Sequence, residues 1–250
     1  MSSDVPETLV RSALYELLSV AFLYPRPGRV EMLQDGVGQL SVATEELGWH
    51  DLAAELQRLG DQLTDLDDAD LERDYIGVFG HTISTDCPPY ETEYDQAHVF
   101  QKSQTLADLG AFYQAFGVQV NSEMKERLDH ISVELEFMNL LTFKEAYADL
   151  HRHGADKVRI CREAQGRFLS YHLAGWIKSF AEKLGRRAGD NPLYASLGRV
   201  LERHTDREFQ RFGLEASPFE PLVSPPPPET ELDCAAEALE DAPLQELKVR

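Results

Sequence analysis

The stretch Lys125–Tyr147, KERLDHISVELEFMNLLTFKEAY, constrains the fold more than any other part of the chain. It has no Gly and no Pro and is rich in Leu and Glu, so it predicts a long helix that runs on to about His153, before Gly154. Its start is soft: Ser122 followed three residues later by Lys125 is half a capping box. At about 100° per residue the apolar side chains do not keep to one face. Leu128, Ile131, Leu135 and Met138 form one stripe, and Val133, Phe137, Leu140 and Leu141 cover much of the rest. A helix apolar nearly all round is enclosed by other elements. Its charged residues then need partners. Asp129 and His130 fall within the first two turns, Glu134 lies one turn beyond His130, and Glu136 shares a stripe with Asp129. The helix is therefore a candidate site as well as a core.

The flanking chain also reads as helical. Pro6–Tyr24 predicts a first helix with a wide apolar face, stopped by Pro25 and Pro27. Val30–Leu33, Val37–Leu47 and Leu52–Leu63 predict short helices broken at Gly36, Gly38, Gly48 and Gly60. The acidic run Asp65–Asp74 lacks the ligand spacing of a calcium loop and reads as a helix start, acids at the positive end. That helix presents Tyr75, Val78 and Phe79 and closes at Gly80. His81–Phe100 is irregular, with two adjacent prolines followed by Tyr90, Glu91 and Tyr94. A loop of this length is either functional or a packed cover for the core. Val99–Phe116, Asp156–Leu184 and Pro192–Phe212 predict three more helices. No alternating strand pattern appears, so the fold class is all-α, a single-domain helical bundle over 1–213. Residues 214–250 form a Pro-rich acidic tail whose composition predicts disorder.

Charge narrows the function. A net charge of -20 argues against nucleic acid and against docking on anionic lipid, and suits a cationic partner. The three cysteines, Cys87, Cys161 and Cys234, are far apart, which disfavours a disulfide framework or a structural zinc site and fits a cytoplasmic protein. No signal-peptide pattern and no membrane-length apolar run is seen. GxSxG, Walker A, GxGxxG and HExxH are all absent. His151 and His153 diverge on a helix. His130 and Glu134 supply at most two ligands, so a His–Glu hydrogen bond within the bundle is favoured over a metal. No cofactor, metal or catalytic role is expected, and a binding function is favoured over an enzyme.

Four elements, in order, carry a resemblance. YIGVF (Tyr75–Phe79) is similar to a Y-x-x-L-F element, with Val78 in place of Leu. PPYETEY (Pro88–Tyr94) resembles a proline-tyrosine-glutamate loop, and ERLDHISVELEFM (Glu126–Met138) resembles the signature E-R-x-D-H-x-x-x-E-L-E-F-M. FLSYHLAGWIKSF (Phe168–Phe180) resembles a late helix with H-L-x-x-W. Together they resemble the TorD/DmsD family of cytoplasmic molybdoenzyme chaperones, the redox enzyme maturation proteins.

The resemblance implies an all-helical chaperone that binds the apo catalytic subunit of a DMSO-reductase-superfamily enzyme. It implies recognition of that subunit's twin-arginine signal peptide and help with molybdenum cofactor insertion before export. In the family the Asp-His pair is tied to peptide binding, and it matches Asp129 and His130. Carboxylates from Asp129, Glu91 and Glu126 would meet the basic part of such a peptide, and Tyr75, Phe79, Tyr90 and Tyr94 its apolar part. Two alternatives stay open: a NarJ-like chaperone for an enzyme that is not exported, and a GTP-binding enzyme, for which no phosphate loop is visible. A monomer and a domain-swapped dimer are both compatible with the sequence.

Overall fold

The computed structural model describes residues 6–80, 86–94, 99–118, 126–187 and 190–215. Among these the chain forms nine α-helices and no strand. They are α1 (Glu7–Ala21), α2 (Arg29–Glu46), α3 (His50–Leu63), α4 (Asp68–Phe79), α5 (Val99–Ala115), α6 (Ile131–Leu150), α7 (Ala155–Tyr171), α8 (Ile177–Gly185) and α9 (Pro192–Phe212). The all-α expectation holds. The tail expectation, Cys234 and Ser122 lie outside the described residues.

The helix apolar on all sides is α6, and it is enclosed as its pattern requires. α1 packs along one side and α7 along another. The Phe137 ring meets Tyr113 of α5, Phe116 just beyond it and Phe168 of α7 at 4.8–6.0 Å between centroids. The polar stripe of α6 faces α1, where Ser12 Oγ donates to Asn139 Oδ1 at 2.6 Å and Ser19 Oγ to Glu136 Oε2 at 3.0 Å. A buried ionic knot closes the far end. Arg11, 1% exposed, donates to both Glu208 oxygens and to Gln165 Oε1. Tyr15 also donates to Glu208, and Glu145 lies 3.5 Å from Arg11. One guanidinium thus joins α1, α6, α7 and α9. Removing it would take from the buried Glu208 carboxylate its two-pronged partner, while Glu145 keeps Arg162.

Three expected boundaries are corrected. Gly36 and Gly38 do not break α2, and Gly60 does not break α3. A Cβ at Gly36 would sit 3.2 Å from Leu17 Cδ1, and one at Gly60 3.4 Å from Val37 Cγ1. These glycines are small residues at helix crossings, and the packing outweighs their propensity cost. The single helix expected over Asp156–Leu184 is divided into α7, a 3-10 turn (Leu173–Gly175) and α8. Neither Pro nor a left-handed Gly stands at the break, where His172, Leu173, Trp176 and Ile177 are all buried. Third, α6 begins at Ile131, not at Lys125.

The acidic start of α4 is as expected. Asp67 and Asp70 form a reciprocal capping box, and Asp68 accepts from the Gly28 and Val30 amides, capping α2 as well. Gly80 ends α4 with φ of 76°, a conformation that favours glycine.

Candidate functional site

The segment before α6 is not helical because it is tied to the proline loop. The Glu91 amide donates to the Asp129 carbonyl and the Ile131 amide to the Pro89 carbonyl, both at 2.9 Å, with Tyr90 and His130 forming an isolated antiparallel bridge. His130 is extended, and its Nδ1 accepts from the Ser132 amide at 3.1 Å, so the imidazole caps α6. This corrects the placement of Asp129 and His130 in the first two turns of a helix: Asp129 precedes the cap and His130 is the cap.

Asp129 is fully buried. Its carboxylate accepts from Arg127 Nε at 3.0 Å and Nη2 at 2.7 Å, and from Thr92 Oγ1 at 2.8 Å. Arg127 Nη2 also donates to Thr92 Oγ1 at 2.7 Å, and the guanidinium lies 4.5 Å from the Tyr90 ring centroid. Loop and signature are thereby laced by one cation, one carboxylate and one hydroxyl.

His130 faces the other way. Its ring meets Tyr90 edge-on at 5.1 Å, and Nε2 lies 3.9 Å from Glu126 Oε2. Burial, with the Arg127 charge adding, lowers its pKa to about 3, so the ring is neutral. The expected His130–Glu134 hydrogen bond is not formed. Burial, reinforced by the Glu91 and Asp129 charges, instead pushes the Glu134 carboxyl well above the usual range. Glu134 accepts from Trp176 Nε1 at 3.3 Å. Glu91 in turn meets His172 Nδ1 at 3.2 Å, and His172 Nε2 lies 3.5 Å from Asp108. Burial opposes a charge on His172, but Glu91 and Asp108 outweigh it and raise the pKa to about 9.

The structure therefore brings Tyr90, Glu91, Glu126, Asp129 and His130 together, but not as one exposed rim. Asp129, His130 and Glu91 are buried. What reaches solvent is the side chain of Glu126 at 23% and of Arg127 at 36%, beside a half-buried Tyr90 whose hydroxyl is 3.4 Å from Glu126. Tyr75 borders this group, since the charge on Glu126 and the Tyr90 hydroxyl both act on its phenol. Phe79 lies behind Tyr75, at 4.8 Å, inside an aromatic cluster with Tyr194 and Phe180. Tyr94 belongs to a separate flank, against Trp176 at 5.2 Å with Lys183 over its ring. Sequence reasoning missed Arg127, Thr92 and His172. Arg127 and His172 stand inside the two quoted motifs, ERLDH and HLAGW, so those motifs were the signal available for them.

No group of three or more His, Cys, Asp or Glu among the described residues is placed to hold a metal. Among them, too, no helix is long and apolar enough to cross a membrane.

Comparison with known proteins places this geometry. The family model described as the nitrate reductase delta subunit matches residues 45–182, which contain the whole junction from Tyr75 to Trp176. The chain is 30% identical over 141 residues to the chlorate reductase assembly chaperone protein of Ideonella dechloratans, covering 55% of this chain and 69% of that one. It is 26% identical over 145 residues to the perchlorate reductase assembly chaperone protein of Dechloromonas aromatica, covering 57% and 63%. It is also 26% identical over 142 residues to the chaperone protein TorD of Vibrio parahaemolyticus, covering 56% and 64%. The matched stretch thus spans just under two thirds of the length of the last two relatives. The chain belongs to the nitrate reductase delta subunit family, with TorD-type assembly chaperones among its relatives.

Proposed function

We propose that this protein is a cytoplasmic assembly chaperone, not a catalyst, for the apo catalytic subunit of a molybdoenzyme. It binds the subunit's twin-arginine signal peptide and holds the subunit for cofactor insertion. The observation that carries the reading is the enclosure of the Tyr90–Asp129 junction within the family-matched residues, together with relatives that are assembly chaperones for reductases. The junction suits recognition: it offers a carboxylate (Glu126), a half-buried tyrosine face (Tyr90) and, behind them, a cation-laced frame that holds both in place. A peptide arginine pairs with Glu126 and packs on Tyr90, while Asp129, His130 and Glu91 set the shape of the loop. Tyr75 supplies apolar contact at the border; Phe79 and Tyr94 support from beneath and from the side.

Titration calorimetry with a twin-arginine signal peptide tests it. Glu126→Gln and Tyr90→Ala are each expected to weaken binding by about tenfold with unchanged melting, roughly the worth of one charge-assisted contact. Wild-type affinity from both variants would remove the peptide from this junction. Recovery of the protein from its host with a reductase subunit lacking a twin-arginine leader would replace the exported client with a non-exported one.

A further inference from the structure

A second surface shares no lining residue with the Tyr90 junction. α1 and α2 diverge to leave an open groove of about 830 Å³. Its floor is aliphatic: Leu9, Ala13, Leu17 and Val20 from α1 face Met32, Leu33, Leu40 and Ala43 from α2. The α1 positions repeat at three- and four-residue spacing, one stripe about 17 Å long at 1.5 Å per residue. That length matches about three helical turns. Met32 is 50% exposed there, an adaptable thioether. Gly36, close against Leu17, keeps the trough free of a side chain at its middle.

The rim carries one sign of charge. Glu16, Glu31 and Asp35 line the groove, and no Lys or Arg does. Acids elsewhere do find partners: Asp70 with Arg73, Glu163 with Arg159, Asp51 with Arg207. Among the described residues Glu16, Glu31 and Asp35 make no ion pair. Glu136, half-buried beside Ser19, adds its field to that of Glu16. An apolar trough with an uncompensated acidic rim is complementary to one kind of occupant.

We infer that the α1/α2 groove docks a basic amphipathic helix of a partner protein, with small and branched aliphatic residues facing Leu17 and Met32 and Lys or Arg reaching Glu16, Glu31 and Asp35. The groove lies N-terminal to the family-matched residues and apart from the Tyr90 junction. The inference rests on the assembly reading only for where such a helix would come from: a client subunit. The chain's own residues 216–250 have the wrong sign, with eight acids against two bases.

The test uses the full chain and a synthetic helical peptide of about four turns, Leu/Ala on one face and Lys/Arg along its edges, with no twin-arginine motif. Methyl-labelled methionine NMR reads the site, because Met32 lies in the groove and Met138 is fully buried in α6. The expected result is a shift of the Met32 methyl with Met138 unmoved. Glu16→Gln/Glu31→Gln/Asp35→Gln should weaken the peptide by at least about tenfold. The set Asp61→Asn/Asp65→Asn, which removes exposed acids elsewhere, should leave affinity unchanged. All these positions are at the surface, so folding is not at stake, and melts confirm it. Binding that leaves Met32 unmoved, or that falls equally with both sets, overturns the inference as mere attraction to a chain of net charge -20. Tighter binding after deletion of 216–250 overturns it in favour of self-occupancy. Failure of a twin-arginine peptide at the Tyr90 junction affects none of these readings, so the two proposals fail separately.

Discussion

Arg127 and Asp129, two residues apart, exchange a two-pronged ion pair across a segment that is neither helix nor strand, with Asp129 fully buried and Arg127 about one third exposed. The pair decides what Asp129 can do. A carboxylate already holding a guanidinium and a threonine hydroxyl is part of the frame that a peptide meets.

Asp129→Asn should therefore destabilise the protein as well as weaken its peptide. The substitution removes one charge of a half-shielded pair and an acceptor for Thr92, for a loss of about 1–3 kcal/mol in chemical denaturation. Arg127→Ala should cost at least as much, because it leaves the buried carboxylate with Thr92 alone. Removing both should cost less than the sum. Additive losses would show that the two side chains are not coupled.

Glu134→Gln should raise stability at neutral pH. The Glu134 carboxyl is held protonated in the fold, above its unfolded pKa, so its contribution is present below about pH 4.5 and declines as pH rises above it. Glutamine accepts from Trp176 without that dependence. A melting temperature for Glu134→Gln below wild type at pH 7 would show that Glu134 carries a charge in the fold.

The histidines predict both limbs of the pH–stability curve. His172 has its pKa raised to about 9, so its stabilisation is complete below about 6.5 and is lost as pH rises from there through 9. His130 and His204 are lowered to about 3 and about 4. Their unfolded forms take up protons first, so they remove stability as pH falls below about 6.5. His172→Gln should flatten the alkaline limb and leave the acid limb in place; an unchanged alkaline limb would refute the Glu91–His172 pairing.

Phe79→Ala and Tyr90→Ala should behave differently although both were named from sequence as groove aromatics. Phe79 is in the core, and its removal should cost about 3–5 kcal/mol by denaturation. Tyr90 is half-buried, so its loss should register in peptide affinity more than in melting.

The cut point of the tail is also testable. Leu214 packs on the core and its amide bonds the Phe209 carbonyl at 2.8 Å, while Gly213 caps α9 with φ of 64°. Truncation after Glu215 should leave the melting temperature within a few degrees of wild type. Truncation after Phe212 should lower it measurably, because cap and Leu214 contact go together.

The sequence by itself determined the helical class, the central place of α6 and the motifs that carry the family. Those follow from periodicity and composition, which act locally: an all-round apolar helix has to be enclosed whatever encloses it. Only the tertiary structure decided where α6 begins, because the proline loop, some 40 residues upstream in the chain, supplies the backbone partners that hold Asp129 and His130 extended. It also decided that Gly36 and Gly60 are crossing points, since each meets a neighbour on another helix, and that the helix after Gly154 divides at His172. For the site, residue identity was legible but accessibility was not. Asp129 reads as an available acid until Arg127 and Thr92 are seen around it, and Glu134 as a charged partner of His130 until Glu91 is seen beside it. The charge state and availability of a buried group are set by what packs on it, and that is written in contacts, not in spacing.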